Sequence, residues 1–247
     1  MIKLKTMIGW NYKEAWNFFT QNAYQQYIPE AELYVKSLDV SPTLDLRNNP
    51  QAHSLIMNSI NPRSFILIDG ASANGKTTLA ERIAKQTNGI IVDIDLLCKD
   101  WMEEQMQTVK TRVEMFELIT NMDELTDQYL LDELENIIYK KSKLGRPVIL
   151  VGMYLELIYR AIISRTLGKY FERVISLVCC EKSFRKVENF IDERNKQVSS
   201  NLPFEKEQCL QQYEYAKQFI EHANGFFLGI GMTSSFIVDS TVSNMFK

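Results

Sequence analysis

The chain has 247 residues, and its 28 lysine and arginine residues against 31 aspartate and glutamate residues give a formal net charge of -3 at pH 7. This balance lacks the excess of basic residues typical of nucleic-acid-binding proteins, so we expect no nucleic-acid partner. A content of 45% hydrophobic and 24% charged residues indicates a globular protein and excludes a disordered or fibrous chain. The most apolar long stretch, 147–163, contains Glu156 and Arg160. A membrane-spanning helix needs about 20 predominantly apolar residues, so we expect no membrane segment.

The N-terminus and the cysteines predict a cytoplasmic protein. Asn11, Lys13 and Glu14 interrupt any hydrophobic region before a signal-peptide cleavage site could follow. Adjacent cysteines in a strand would point to opposite faces, and the cysteine spacing matches no metal site. We therefore predict four reduced thiols: Cys98, Cys179, Cys180 and Cys209.

Residues 1–62 are predicted to form a helical N-terminal appendage and a connector. Apolar side chains recur every three or four positions from Tyr12 to Tyr27, which predicts an amphipathic helix that ends near Pro29. Residues 39–63 are rich in turn-forming residues around a short helical candidate at 52–59 and are interpreted as the connector. Aromatic side chains of the N-terminal region either form a partner-docking face or pack as ordinary core: Trp10, Trp16, Phe18 and Phe19.

Residues 63–247 carry the pattern of an α/β domain. The apolar run Phe65–Ile68 predicts a strand buried on both faces, and residues 90–95 predict a second one. The helix between them is expected to end at Gly89, and a strand–helix–strand unit of this kind has parallel strands. Three further strands are predicted at 148–152, 173–180 and 236–239, and helices at about 100–120 and 123–143.

A glycine-bearing loop joins the first of these strands to its helix and fits the pattern G-x-x-x-x-G-K-[ST]. Two glycines allow backbone N–H groups to approach a phosphate chain closely, and the helix N-terminus adds partial positive charge. Lys76 is expected to reach the β- and γ-phosphates, and the Thr77 hydroxyl to coordinate Mg²⁺. The predicted nucleotide-binding residues are Gly70, Ala71, Ser72, Ala73, Asn74, Gly75, Lys76, Thr77 and Thr78.

Two carboxylates end the second predicted strand. Asp93 and Asp95 are two residues apart, so their side chains are expected to point to the same side. Ligands of open parallel sheets bind beyond the carboxyl ends of the strands. We assign Asp95 the role of accepting the proton of a substrate hydroxyl and Asp93 the role of holding Mg²⁺ or a magnesium-bound water. Capping of the next helix, or solvation, is the alternative role of each.

A charged helical segment at 181–197 follows the fourth predicted strand. Arg185 and Arg194 could be delivered by a mobile lid to stabilise the charge of a transferring phosphoryl group. The segment also contains Glu181, Glu188 and Glu193, so a solvated surface helix with i,i+4 ion pairs is the alternative.

Together, the loop after Ile68-Asp69, the two aspartates, the apolar strand 148–152 and the two arginines resemble the P-loop small-molecule kinases, particularly uridine kinase-like proteins. The resemblance covers about residues 64–239. It implies a three-layer α/β/α P-loop fold with a mostly parallel five-stranded sheet, the cofactors ATP and Mg²⁺, and transfer of the γ-phosphoryl group to a hydroxyl of a nucleoside or another small metabolite. Uridine kinases often carry a glutamate where this chain has Val151.

Other phosphate-loop proteins are the rival interpretations. A regulatory GTPase would need an N-K-x-D element, but Gln197 and Val198 follow Asn195-Lys196. An AAA-type or transport ATPase would place a carboxylate at the end of the strand 148–152, which is uncharged. Two alternatives stay open: a zeta-toxin-like kinase of sugar nucleotides, and a nucleotide-sensing ATPase or binding protein whose N-terminus docks a partner.

Overall fold

The computed structural model describes residues 41–94, 96–97, 124–152, 167–197, 203–221, 228–229 and 231–247. Several predictions concern residues outside these ranges: the role of Asp95, the thiol of Cys98, the N-terminal helix with its aromatic side chains, and the helix at 100–120. None of the described helices is both long and apolar enough to cross a membrane.

The described elements alternate between strands and helices along most of the chain. The strands are β1 (Thr43–Asp45), β2 (Ser64–Gly70), β3 (Ile90–Asp93), β4 (Val148–Val151), β5 (Arg173–Cys179) and β6 (Ser234–Val238). The helices are α1 (Ala52–Ser59), α2 (Lys76–Thr87), α3 (Glu124–Ser142), α4 (Phe184–Gln197), α5 (Lys206–Glu221) and α6 (Ser240–Ser243). Short 3₁₀ turns cover Gly168–Tyr170 and Asn244–Phe246.

The strands form one parallel sheet in the order β1-β6-β5-β2-β4-β3. The expected fold class, a three-layer α/β/α fold, is confirmed. The expected count of five strands is wrong, because β1 adds a sixth at the edge beside β6. β1 escaped the sequence analysis because it is three residues long and lies among turn-forming residues.

The segment interpreted as a connector contributes to the packed structure. α1 has the predicted bounds, and Ala52 and Ile56 are fully buried in the same core as the β2 side chains Ile66 and Ile68. The division of the chain at residue 62 stays a prediction for residues 1–40. For residues 43–59, the strand pairing and the buried helix place the segment within the sheet and its core.

The two faces of the sheet bury alternate side chains of each strand. Ile66 and Ile68 face α1 and α2, whereas Phe65 and Leu67 face α3. Under the β5–β6 side, Cys180 packs with the helices α4 and α5. This two-sided burial explains why β2 has no polar position before Asp69 apart from its first residue.

The end of α2 differs from its prediction by one residue. Asn88, not Gly89, adopts the left-handed conformation at φ 54° that terminates the helix, and the Gly89 N–H donates to the Ala84 carbonyl at 2.9 Å. Asparagine accepts this conformation because its short polar side chain makes local hydrogen bonds. A glycine suits position 89 for a different reason: a β-carbon there would lie 3.0 Å from Ile149 Cδ1, which is a tight contact.

Candidate phosphate-binding site

The loop between β2 and α2 begins where two central strands touch. Gly70 is level with Cys179 of β5 in the sheet register. A β-carbon on Gly70 would lie 2.2 Å from the Cys179 carbonyl oxygen, and the residue has φ +135°. Both observations require glycine, because no L side chain fits that space or adopts that conformation without strain.

Gly75 is the N-cap of α2 and adopts a left-handed conformation with φ 81° and ψ 16°. Gly75 has no side chain to cap the helix, and among the described residues no heavy atom beyond its chain neighbours lies within 4 Å of the position that a Gly75 β-carbon would take. The first N–H groups of a helix have no intrahelical partner and carry the positive end of its dipole. This end of α2 therefore has the polarity and the open space of a candidate anion site.

The Lys76 side chain folds back over the loop. Its Nζ donates to the carbonyl oxygens of Gly70 at 2.8 Å and Ala71 at 2.9 Å. The ammonium group therefore lies beside the start of the loop, while the same residue begins α2. Thr77 is exposed, so its hydroxyl is accessible to a cation. The phosphate-binding role of Lys76 and the Mg²⁺-binding role of Thr77 stay predictions.

Asn74 braces the loop from inside. It is 2% exposed, and its Nδ2 donates to the carbonyl of Ser72 at 3.0 Å. Its Oδ1 accepts the backbone N–H of Glu181 at 3.0 Å, directly after β5. These side-chain contacts hold the loop against the sheet, and the predicted nucleotide-binding role of Asn74 stays a prediction.

Glu181 is a buried carboxylate that the sequence analysis treated as part of a charged helix. It is 1% exposed, and its Oε1 accepts the backbone N–H of Ser240 at 2.7 Å. Its Oε2 lies 3.0 Å from Lys186 Nζ, and its carbonyl accepts the Tyr213 hydroxyl at 3.0 Å. Glu181 thus links the end of β5 to α4, α5 and α6. The position of Glu181 directly after a buried strand is the sequence feature that could have indicated its burial.

A side chain of α5 also reaches the loop. Gln212 is 4% exposed, and its Oε1 accepts the backbone N–H of Ser72 at 3.1 Å. Gln212 was not among the predicted site residues. A sequence feature that could have indicated its buried position is its place next to Tyr213 in the apolar stripe that also includes Cys209 and Ala216, where a polar residue is unexpected.

The thiols next to the loop are chemically inert. Burial raises the pKa of Cys179 to about 12, and burial likewise raises the pKa of Cys180 to about 11. Cys179 and Cys180 pack into different cores on opposite faces of the sheet, as predicted for adjacent strand residues. Cys179, Cys180 and Cys209 are buried reduced thiols. The protonated thiol predominates at neutral pH, so neither Cys179 nor Cys180 is a nucleophile for this site.

The predicted carboxylate site is described only in part. Asp93 is the last residue of β3 and pairs with Val151 of β4, which in turn pairs with Ile68 of β2. Neighbouring strands are about 4.8 Å apart, so Asp93 lies roughly 10 Å to the side of β2, at the same carboxyl edge as the loop. The position of Asp95 is outside the described residues.

The segment predicted as a lid is a helix with a buried face. Val187 and Ile191 of α4 lie in the same core as α5. Arg185 is exposed, and the Arg194 guanidinium lies 4.7 Å from the centre of the Phe204 ring. No hydrogen bond or ion pair among the described residues joins either arginine to the phosphate loop. Movement of this helix over the site, and a role for its arginines, stay predictions.

An ion pair lies at the carboxyl end of the added strand β1, as the loop lies at the carboxyl end of β2. Arg47 donates to Asp45 through Nε at 2.9 Å and through its terminal nitrogen at 2.7 Å. Burial alone would raise the pKa of Asp45, but the hydrogen bonds from Arg47 and its charge outweigh burial and lower it. Asp45 therefore keeps its negative charge to a lower pH than an aspartate without this partner.

Fold and loop together define a structural class: a three-layer α/β/α protein in which a loop with the pattern G-x-x-x-x-G-K-[ST] follows a central strand. No family model matches the sequence, and no curated protein is similar to it. Within the described residues, no group of three or more His, Cys, Asp or Glu side chains forms a metal site.

Several solved structures are similar to the chain. One is from the Pnkp1/Rnl/Hen1 RNA repair complex, with 16% identity, a TM-score of 0.48, and coverage of 66% of this chain but only 47% of the other. A gluconokinase from Sinorhizobium meliloti 1021 has 11% identity and a TM-score of 0.46, with coverage of 76% and 91%. A protein of the PezAT toxin-antitoxin system of Streptococcus pneumoniae has 18% identity and a TM-score of 0.42, with coverage of 71% of each chain.

Proposed function

We propose that this protein is an ATP- and Mg²⁺-dependent phosphotransferase that moves the γ-phosphoryl group to a hydroxyl of a small molecule, a nucleoside or similar metabolite. One observation carries the proposal. The left-handed Gly75 begins α2 without a side-chain cap, and the Lys76 ammonium lies against the carbonyls of Gly70 and Ala71 at the start of the same loop. An uncapped helix N-terminus and a lysine on one loop fit a phosphate chain, because both supply positive charge to it.

The residues around the loop fit the parts that phosphoryl transfer needs. The loop amides and Lys76 would hold the phosphates, and the exposed hydroxyl of Thr77 would face the magnesium ion, with Asp93 at the same edge of the sheet. Bound Mg²⁺ would neutralise charge that develops on the transferring group. Asp95 would accept the proton of the attacking hydroxyl, and Arg185 and Arg194 would approach the transferring group from α4.

The acceptor is the least specified part of the proposal. A zeta-toxin-like kinase of sugar nucleotides would use the same loop and differ only in the hydroxyl that it phosphorylates. A nucleotide sensor would use the loop without a general base. The first alternative predicts ATP consumption only with a sugar nucleotide, and the second predicts tight binding with little turnover whatever acceptor is added.

The test is an ATP-consumption screen of the full chain against nucleosides, sugars, sugar nucleotides and vitamins, with Mg²⁺ present. Lys76→Ala should keep the fold and abolish consumption, whereas Lys85→Ala is the matched control, an exposed lysine of the same helix. Asp95→Asn should keep ATP affinity and lower transfer by roughly 10² or more, the usual effect of losing a general base. Full activity of Lys76→Ala would end the assignment, and full activity of Asp95→Asn would remove Asp95 from the mechanism.

A further inference from the structure

Gln212 has a buried side-chain amide in which the oxygen has a hydrogen-bond partner and the nitrogen has none among the described residues. Its Oε1 accepts the Ser72 N–H, but its Nε2 is buried and has no hydrogen-bond partner among the residues that the structure describes. Because a backbone N–H can only donate, the atom facing Ser72 must be the oxygen, which fixes the orientation of the amide. A buried donor without a partner is unfavourable, so its retention beside a binding loop needs an explanation.

The unpaired nitrogen is held close to the loop. Within a side-chain amide the oxygen and nitrogen are about 2.3 Å apart, so Nε2 lies within roughly 5 Å of the Ser72 backbone nitrogen. The neighbouring buried residues Cys209 and Tyr213 of α5 pack in one core with Ala71 of the loop. This packing holds α5 against the loop.

The position of Ser72 identifies the part of a triphosphate that would lie nearest. The helix N-terminus at Gly75 supplies donors to one end of the loop, and the Lys76 ammonium lies at the other end, against the carbonyls of Gly70 and Ala71. The lysine of such a loop reaches the β- and γ-phosphates. Ser72 directly follows the two residues that contact this ammonium, so it belongs to the end of the loop facing the terminal phosphate.

We propose that Gln212 recognises the terminal phosphate of a bound nucleoside triphosphate, with its Oε1 positioning Ser72 and its Nε2 donating a hydrogen bond to a γ-phosphate oxygen. The inference rests on the proposed function, because it needs a nucleotide in the loop. It adds a sensor of the third phosphate outside the loop itself, carried by a helix on one face of the sheet. The protein would thereby distinguish a triphosphate from a diphosphate before any transfer.

The experiment measures the dissociation constants of Mg²⁺-ATP and Mg²⁺-ADP by calorimetry for the wild type and three variants of the full chain. Gln212→Ala removes both hydrogen bonds of the amide. Gln212→Glu keeps an acceptor oxygen for Ser72 and removes the nitrogen donor. Gln211→Ala is the control, since Gln211 is the exposed neighbour of the same residue type. Thermal unfolding identifies any variant that does not fold.

We expect Gln212→Ala to weaken ATP binding by about tenfold or more, as for a lost hydrogen bond to a charged group, and ADP binding by less than about twofold. Gln212→Glu also adds a carboxylate, whose negative charge repels phosphates, so it should weaken ATP binding more than Gln212→Ala does, and should weaken ATP binding more than ADP binding. The Gln211 variant should match the wild type. Equal loss of ATP and ADP affinity would show a purely structural role and overturn the inference, as would unchanged affinity for both. A folded wild type that binds neither nucleotide would overturn the proposed function itself, and the inference would fall with it.

Discussion

Substitution by alanine should have different main effects at the two glycines of the phosphate loop: a loss of stability at Gly70 and a loss of ATP affinity at Gly75. In Gly70→Ala the new β-carbon would lie 2.2 Å from the Cys179 carbonyl oxygen, within the centre of the sheet, at φ +135°. The conformation alone costs about 1–3 kcal/mol, and β2 and β5 must separate to relieve the overlap. We therefore expect the free energy of unfolding to fall by about 3 kcal/mol or more, at the upper end of the range for point substitutions.

In Gly75→Ala the new β-carbon meets no heavy atom within 4 Å, and φ is +81°. The left-handed conformation costs an alanine roughly 1–2 kcal/mol, so we expect the protein to fold. The methyl group would stand in the open space beside the first amides of α2, where a phosphate would lie. ATP affinity should therefore fall by at least about tenfold, which corresponds to the loss of a single good contact.

Gly145→Ala is the matched control for the backbone strain. Gly145 has φ +64°, and its added β-carbon also meets nothing within 4 Å, but it lies in the turn between α3 and β4. Urea unfolding should give similar losses of stability for Gly75→Ala and Gly145→Ala, and calorimetry should show normal ATP binding only for the second. Normal ATP binding by Gly75→Ala, or a Gly70→Ala protein as stable as Gly145→Ala, would refute the reasoning.

Four further predictions follow from the contacts and the burial of residues around the site. Asn74→Ala leaves the Glu181 N–H and the Ser72 carbonyl without their side-chain partner, so the free energy of unfolding in urea should fall by about 2 kcal/mol; a change under about 0.5 kcal/mol would contradict the bracing role. Asp239→Ala should lose about 1 kcal/mol, because the carboxylate accepts the N–H groups of Thr241 and Val242 at the start of α6, while Asp239→Asn should retain most of it; equal losses would show that capping is not the cause. At pH 8 the native protein should leave Cys179 and Cys180 unmodified by iodoacetamide, whereas unfolded protein should react at both, as mapped by mass spectrometry. Because the pKa of Cys179 is raised from 9.0 to about 12 in the folded state, its contribution to stability is complete below pH 9 and declines as pH rises toward 12; stability that is unchanged between pH 9 and pH 11 would contradict this burial effect.

The sequence determined the local elements that carry a strong pattern. The apolar run at Phe65–Ile68 predicts a strand buried on both faces, and the alternation of its side chains between two cores confirms it. The short helix α1 was also predicted with its observed bounds. The phosphate loop could be predicted because its pattern is local: the chemistry of each position depends on neighbours within eight residues.

Features that depend on partners far along the chain were not predictable from the sequence. β1 is recognisable only by its pairing with β6, since Thr43 lies level with Ser235, almost two hundred positions later in the chain. The roles of Glu181 and Gln212 likewise depend on contacts with distant residues that no local periodicity encodes. Gly70 belongs to both categories: the motif requires a glycine there, but only the approach of the Cys179 carbonyl explains why no other residue fits. Local sequence fixes conformational preference, whereas burial and pairing arise from the packing of the whole chain, and that packing decided which polar side chains surround the loop.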